Sequence, residues 1–292
     1  MSPSPKAGLP RGDVSPWQRA VRYFIVRTFI SIVARLLFRL RLQGRERIPD
    51  GPALYCFNHL GWLDPIAIMA TFPSSVRIHF YGPRETDLRQ GLKNRIILWT
   101  GLAVPFRPAK DDLITSVRRA QAVFDAGAIL AIAGEGQIHV HEGDLLPLQE
   151  GSAYLALRAR VPIVPVAITG TSWVGFRRTI TVRIGEPIAT GPRPSHAAVA
   201  DYTAVTWHAI REMVSGDRDL PIPGRFGRWL TDVFNDWGPD GREAAALRVG
   251  PNPTDVPRPT SAIQGERTLD GLAGLPDPVE LSPAPSPAAP SG

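Results

Sequence analysis

Cysteine is nearly absent from this sequence: among its 292 residues there is one, Cys56. A single thiol excludes an intramolecular disulfide, so the chain is not one of the small folds held together by disulfide bonds, and it is typical of a reducing compartment. Because Cys56 lies in an apolar run, we expect it to be an unreactive residue of the core.

Long hydrophobic runs are also lacking. The longest stretch without Asp, Glu, Lys or Arg has 16 residues, from Val161 to Phe176, and it contains two prolines and two glycines. A spanning helix needs about 20 apolar residues, and residues 1–5 do not begin a secretory signal. We therefore expect any contact with a membrane to be with its surface.

The charge of the chain is unevenly distributed. The whole sequence carries +6, whereas residues 250–292 hold five acidic residues and two arginines, a net charge of −3, so the remainder carries +9. A basic body favours an anionic partner, which is usually nucleic acid or an anionic membrane surface. We favour membrane lipids over nucleic acid, because no nucleic-acid-binding motif is present.

Composition divides the chain into four parts. Residues 1–16 are rich in Pro, Ser and Gly, and residues 250–292 hold ten of the 30 prolines without hydrophobic periodicity, so both are predicted to be disordered. Residues 17–44 form a separate basic segment, and residues 45–240 form the main domain.

The basic segment 17–44 is predicted to be an amphipathic helix that lies on a membrane surface. It has no acidic residue. The alternative is a helix that packs on the domain with an arginine-rich face toward solvent. One side of the predicted helix is apolar and consists of Ile25, Phe29, Ile32, Val33, Leu36 and Leu40. The other side is basic and consists of Arg27, Arg35 and Arg39.

The main domain alternates short apolar strands with helical stretches. This succession predicts an α/β fold with a mixed, mainly parallel sheet flanked by helices. The predicted strands are 53–57, 76–81, 102–106, 128–133, 163–168 and 178–184, and the predicted helices are 65–71, 92–99, 111–125, 151–160, 196–216 and 226–237.

The strongest chemical signal lies between the first of these strands and the helix that follows it. His59 and Asp64 are five residues apart there, with Asp64 expected as the N-cap of the helix. If the loop curls, Asp64 can orient the imidazole of His59, whose other nitrogen can then take a proton from a hydroxyl. The structural alternative is an ordinary helix cap beside a core histidine.

Three further segments place polar or unusual residues at strand ends. Arg107 follows an apolar strand and suits a phosphate. Glu135 and Gly136 end a buried strand, where α/β sheets commonly bind ligands. Pro165 lies in a buried strand that contains two prolines, which must be bulged, at an edge, or beside a site.

Taken in order, these segments resemble the motifs of the glycerolipid acyltransferases of the lysophosphatidate-acyltransferase type. The resemblance covers residues 45 to 190. The matching residues are Asn58, His59 and Asp64 of the first motif, Phe106 and Arg107 of the second, Glu135 and Gly136 of the third, and Val161 to Val166, the whole of the fourth.

The resemblance implies transfer of a fatty acyl group from a thioester donor, acyl-CoA or acyl carrier protein, to the hydroxyl of a lysophospholipid or lysophosphatidate. It implies that His59 is the general base and Asp64 its orienting partner. Asn58, Arg107, Glu135 and Gly136 are expected to bind the acceptor, and Pro165 to line the site. Oxyanion donors are expected among the backbone N–H groups of the His59 loop or the Pro165 strand.

No metal or redox cofactor is implied, and the expected location is the cytoplasmic face of the cell membrane, as a peripheral or monotopic protein. The pair His139 and His141, followed by Glu142, suggested a metal site, but a third well-placed ligand is not evident. The oligomeric state is left open.

The third motif departs from the family pattern. Ile138 stands where the family has an arginine that helps to hold the acceptor's phosphate. Arg84, Arg107 or Arg177 could replace it. Otherwise the acceptor is a lipid without glycerol phosphate, such as an aminolipid or glycolipid, or the chain is a non-catalytic lipid-binding member of the fold.

Overall fold

The computed structural model describes residues 16–83, 97, 99–106, 113–191, 193–238 and 240–257. The predictions for residues 1–15 and 258–292, and those for Arg84 and Arg107, fall outside these ranges.

A seven-stranded mixed sheet forms the centre of the protein, in the order β1-β7-β6-β2-β5-β3-β4. All neighbouring pairs are parallel except β6 and β7, which are antiparallel. The predicted α/β fold with a mainly parallel sheet is confirmed. The strands are β1 Arg39–Gln43, β2 Leu54–Phe57, β3 Ile78–Pro83, β4 Ala103–Phe106, β5 Ile129–Ala133, β6 Ile163–Thr169 and β7 Thr179–Ile184.

Helices cover both faces of this sheet, which explains why every residue of β2 and β6 is buried. Helices α3, α4 and α5 pack on one face, and α1, α2 and α6 pack on the other. The helices are α1 Pro16–Leu37, α2 Leu63–Thr71, α3 Leu113–Asp125, α4 Gly151–Ala159, α5 His196–Val214, α6 Arg225–Phe234 and α7 Gly241–Ala246.

The basic N-terminal segment is a helix only as far as Leu37. The continuation of this helix to residue 44 was predicted wrongly, because residues 39–43 form the edge strand β1 beside β7. The reason is local: the sequence Arg-Leu-Arg-Leu-Gln has a period of two, which matches a strand and not a helix.

Two arginines of helix α1 bond to the domain, and one of them is buried. Arg27 is 4% exposed, and it donates hydrogen bonds to the carbonyl oxygens of Phe72 (3.1 Å), Pro73 (2.7 Å) and Val76, just after α2. Arg35 donates to the carbonyl oxygen of Ala70 at 2.8 Å. Arg27 is therefore a structural contact and does not face solvent, whereas Arg35 bonds to the domain but remains exposed.

The opposite side of α1 exposes an apolar stripe, which we call the α1 outer stripe. Within the described ranges, no helix is both long enough and apolar enough to cross a bilayer. The stripe consists of Phe24, Ile25, Phe29, Ile32 and Leu36, each more than half exposed.

The chain after α6 remains packed on the domain beyond residue 250, where the disordered tail was predicted to begin. The N–H of Gly250 donates to Asp144 at 2.7 Å, and Val256 packs against the core. Helix α7 was not predicted.

Candidate active site

The loop between β2 and α2 brings His59 and Asp64 together. The His59 Nδ1 and Asp64 Oδ2 atoms are 2.9 Å apart. The side chain of Asp64 is fully buried, whereas that of His59 is 13% exposed and faces a cavity. The loop therefore curls as the five-residue spacing requires.

Asp64 does not cap its own helix, which corrects the predicted N-cap. Trp62 occupies the N-cap position, without a side-chain hydrogen bond to the helix. Asp64, in the first turn, points back into the loop, where its Oδ2 accepts from the N–H groups of Leu60 (2.8 Å) and Gly61 (2.9 Å). The carboxylate thus fixes both the backbone of the loop and the His59 ring.

The other N–H groups of the loop are also bonded within the protein. The N–H of His59 donates to Glu135 Oε2 at 3.1 Å, and the N–H of Trp62 donates to Asn235 Oδ1 at 2.8 Å. Backbone N–H groups from 59 to 62 were candidates for stabilising an oxyanion. In this conformation each of them already has a protein acceptor.

Glu135 supports the loop from behind. Its side chain is fully buried, and its Oε1 accepts from the N–H of Leu146 at 3.3 Å and lies 3.2 Å from His139 Nε2. Burial raises the pKa of Glu135, while contacts with His139 and His59 oppose that shift. The expected direct contact with an acceptor is corrected: this carboxylate reaches the site only through the backbone of His59.

Gly136 lies in the turn after β5, with a left-handed φ of 69° that favours glycine. Two residues earlier, Gly134 has no room for a side chain: an added Cβ would lie 2.5 Å from the sulfur of Cys56 and 2.8 Å from Leu148. Cys56 is fully buried, and burial raises its pKa to about 12, so it is the unreactive core thiol that was predicted.

Asn58 is part of the scaffold and not of an acceptor site. Its Nδ2 donates to the carbonyl oxygen of Ile168 at 2.9 Å, and its Oδ1 accepts from the N–H of Ile168 at 2.7 Å. The amide is fully buried, and both of its polar atoms pair with the backbone of β6. This corrects the predicted contact with the acceptor.

Pro165 lies on the other side of the sheet from the cavity. It is in register with Cys56, and its carbonyl accepts from the N–H of Gly185 just beyond the β6–β7 ladder. Because side chains alternate along a strand, Pro165 faces away from Phe57, which lines the cavity. Pro165 therefore does not line this cavity, and its place in the substrate site stays a prediction.

Two residues that we missed in the sequence complete the support of Asp64. Thr171, 1% exposed, donates from Oγ1 to Asp64 Oδ1 at 2.5 Å. Glu142 holds the loop that carries Thr171, because it accepts from the N–H of Gly170 (2.6 Å) and from the N–H and Oγ of Ser172. Burial raises the pKa of Glu142, and the contacts with Ser172 and Gly170 oppose this.

Glu142 was singled out in the sequence only beside His139 and His141, as a possible metal ligand. The three side chains diverge: His139 lies against Glu135, and His141 contacts Asp219 at 3.0 Å. Within the part of the chain that the structure describes, no group of three or more His, Cys, Asp or Glu side chains could hold a metal ion.

A cavity of about 490 Å³ opens beside His59. Its lining is almost wholly apolar and comes from α1, β2, the His59 loop, α2, β3, β4, β5 and the end of α6. His59 is thus a polar ring in the wall of an apolar cavity. The lining includes Val26, Phe29, Ile30, Met69, Leu102 and Phe234.

The third motif differs from the family pattern at Ile138, and in the structure an arginine that we had not considered contacts this residue. Arg248, after α7, donates from Nη1 to the carbonyl oxygen of Ile138. On the other side of the same peptide, the N–H of His139 donates to the carbonyl oxygen of His59 at 3.1 Å. Arg177, one of the predicted replacements, lies instead at the end of α1, where its N–H donates to Leu37.

Comparison with known proteins agrees with this geometry. Residues 39–169 match the family described as Acyltransferase. The chain is 24% identical over 161 residues to the chloroplastic 1-acyl-sn-glycerol-3-phosphate acyltransferase BAT2 of Brassica napus, covering 53% of this chain and 44% of that protein. It is 25% identical over 202 residues to 1-acyl-sn-glycerol-3-phosphate acyltransferase alpha of Ovis aries, covering 65% of this chain and 66% of that protein.

The crystal structure of the 1-acyl-sn-glycerophosphate (LPA) acyltransferase PlsC from Thermotoga maritima has the same fold. The TM-score is 0.54 at 19% sequence identity, over 70% of this chain and 82% of that one. The comparisons thus show that residues 39–169 are similar to an acyltransferase domain, while the chain spans about half of the Brassica napus relative and 66% of the Ovis aries relative. Residues 39–169 contain the His59 loop and all of β1 to β6.

Proposed function

We propose that this protein transfers a fatty acyl group from a thioester, acyl-CoA or acyl carrier protein, to the hydroxyl of a lysophosphatidate or lysophospholipid. The observation that carries the proposal is the His59–Asp64 pair at the wall of an apolar cavity. A base at such a place can activate a hydroxyl directly beside a bound acyl chain.

In the proposed reaction, His59 takes the proton of the acceptor hydroxyl as its oxygen attacks the thioester carbonyl carbon. A tetrahedral intermediate forms, the carbon–sulfur bond breaks, and the thiolate leaves with the proton from the imidazolium. The products are an ester and a free thiol. Asp64, held by Leu60, Gly61 and Thr171, orients the ring and stabilises the imidazolium.

The cavity is proposed to hold the acyl chain of the donor. Its almost wholly apolar lining suits an acyl chain better than a phosphate or a sugar. One wall of the cavity comes from α1, through Val26, Phe29 and Ile30. The same helix therefore lines the site and also carries the α1 outer stripe. Filling the cavity, for example by Ala103→Phe, is expected to shift the donor preference toward shorter chains.

The acceptor class is taken from the names of the two curated relatives, which act on 1-acyl-sn-glycerol-3-phosphate. Arg248, in contact with Ile138, supports the presence of a cation where the third-motif arginine is missing. If the acceptor carries no phosphate, activity will be found with a neutral or amino lipid instead.

The α1 outer stripe is proposed to rest on the cytoplasmic face of the membrane as a peripheral contact. Deleting residues 1–42 would not test this cleanly, because it would also remove most of β1 and the Arg27 contacts. Replacing Ile25 and Ile32, 60% and 53% exposed, by Glu is expected to weaken vesicle binding, whereas Ile114→Glu on the opposite face is expected to leave it unchanged. Equal vesicle binding by the unmodified protein, the Ile25 and Ile32 variant and Ile114→Glu would rule out this contact.

The experiment that tests the proposed function is thiol release from a panel of acyl-CoA and acyl-carrier thioesters. Each donor is tried with lysophosphatidate, other lysolipids, and neutral or amino lipids dispersed in detergent. Release that requires an acceptor, together with a new ester detected by mass spectrometry, is the expected result. If folded protein releases no thiol with any pair, the non-catalytic alternative becomes the better description.

A further inference from the structure

The outer face of α6 is apolar and basic, and nothing in the described chain covers it. Phe226, Trp229 and Val233 are 72%, 58% and 54% exposed, and their spacing of three and four residues puts them on one face of the helix. The rings of Phe226 and Trp229 are 5.7 Å apart. The exposed side chains of Arg225 and Arg228 flank them. We call these five residues the α6 patch.

The inner face of the same helix is anchored to the site. Thr231 is fully buried and accepts from the N–H of Val174, and Phe234 lines the cavity. Asn235, directly after the helix, accepts from the N–H of Trp62 in the His59 loop. The helix is therefore held rigidly, and the exposure of its outer face is not the result of loose packing.

The two helices that carry the α6 patch and the α1 outer stripe both border the cavity. Phe29 of α1 and Phe234 of α6 both line that cavity. The end of α1 also meets the segment beneath α6, because the N–H of Arg177 donates to the carbonyl oxygen of Leu37. Phe176, 75% exposed, lies in the chain between Val174, which bonds to Thr231 of α6, and Arg177, which bonds to Leu37 of α1.

We propose that the α6 patch is a second membrane-contact surface, which binds an anionic lipid bilayer. Phe and Trp beside Arg on one helix face are the composition of interfacial helices, and Trp favours the headgroup level. Arg225 and Arg228 supply charge complementary to anionic lipids. The one acidic residue of the helix, Asp232, is half-buried, and the exposed Asp236 follows the end of the helix.

This inference extends the proposed function, since it has the cavity open toward the bilayer between two lipid-contacting helices. An acyl chain would then pass from the membrane to His59 without crossing water. The inference does not depend on which acceptor is used.

The test places a fluorescent probe on the patch. In Val233→Cys a thiol-reactive dye labels only position 233, because Cys56 is fully buried. Vesicles of equal parts phosphatidylcholine and phosphatidylglycerol carry brominated acyl chains as quenchers. We expect a blue shift and quenching at position 233. A dye at Ile114→Cys, on α3 and 67% exposed, is expected to show neither.

Binding affinity supplies the second measurement. The double variant Phe226→Asp, Trp229→Asp is expected to bind these vesicles at least tenfold more weakly, and each arginine replaced by Gln is expected to weaken binding about fivefold. Ile114→Asp is the matched control, and thermal unfolding checks that each variant folds.

Two outcomes would overturn the inference. One is a dye at position 233 that behaves like the dye at position 114 while the protein sediments with the vesicles. The other is unchanged affinity in the double variant. Thiol release by the unmodified protein in detergent judges the proposed function separately, because it requires no bilayer.

Discussion

Replacing Thr171 by Val removes the hydrogen bond that its hydroxyl donates to Asp64 Oδ1. The two side chains have nearly the same shape, so the change is chiefly the loss of a donor to a buried carboxylate. A hydrogen bond to a charged group contributes about 1.5–3 kcal/mol, and we expect the free energy of unfolding to fall by about this amount. Urea unfolding measures it.

The same substitution should alter the pH dependence of catalysis. With one donor fewer, the negative charge of Asp64 acts more strongly on the His59 imidazolium, so His59 keeps its proton to higher pH. The acidic limb of the kcat/KM profile is therefore expected to move upward, by up to about one pH unit, which corresponds to about 1.4 kcal/mol. Thiol release across a pH series measures this shift.

Two controls accompany Thr171→Val. Thr171→Ser keeps the hydroxyl and is expected to restore the profile of the unmodified enzyme. Thr206→Val removes a buried hydroxyl that bonds only to its own helix, and it should leave the profile in place. The reasoning is refuted if Thr171→Val matches the unmodified enzyme in both stability and profile, or if Thr206→Val shifts the profile equally.

Three further predictions follow from the contacts around the site. Asn58→Leu leaves an N–H and a C=O of β6 without partners and is expected to cost about 2–6 kcal/mol in urea unfolding; a change in KM alone would instead indicate an acceptor contact. Gly134→Ala is expected to destabilise by about 1–3 kcal/mol, and Cys56→Ala in the same chain should recover part of this, which a double-mutant cycle measures. Hydrogen bonds to a backbone carbonyl and to Asp219 raise the pKa of His141. The protonated ring therefore stabilises the fold below the ordinary pKa of 6.5, and this stabilisation is lost as the pH rises through the higher pKa of the folded state. His141→Gln should thus lower the free energy of unfolding by up to about 1 kcal/mol at acidic pH and by little at alkaline pH, which urea unfolding at both pH values measures.

The core elements were predictable because their signals are local. Apolar runs bounded by glycine or proline predicted β2, β5 and β6, and a glycine after the last helical residue predicted the end of α3. The edge strand β1 was missed because it directly follows α1 and is only five residues long, although those residues have the period of two that is typical of a strand. The short α7 has no periodic apolar face, and so it gave no signal.

The site was predictable in part. The spacing of His59 and Asp64 predicted their contact, since only a loop between strand and helix separates them. The roles of Asn58 and Glu135 could not be predicted from the sequence. Asn58 bonds to Ile168, which is far away along the chain, and Glu135 bonds to Leu146, which lies beyond a turn. Thr171 follows β6, and only the parallel pairing of β6 with β2 brings it to Asp64.

The faces of α1 illustrate the same limit. The helical wheel separated the arginines from the apolar residues correctly. Periodicity does not tell which side faces the protein. Arg27 faces inward because it satisfies carbonyl groups that α2 leaves open at its end.

The most direct test of the central claim is acceptor-dependent thiol release by the unmodified enzyme, His59→Ala and Asp64→Asn, each shown to be folded. If His59 is the general base, His59→Ala should be slower by about 10²–10⁴-fold, and Asp64→Asn should also be slow because the ring loses its orienting charge. Acceptor-dependent release that persists in His59→Ala at the rate of the unmodified enzyme would contradict the account.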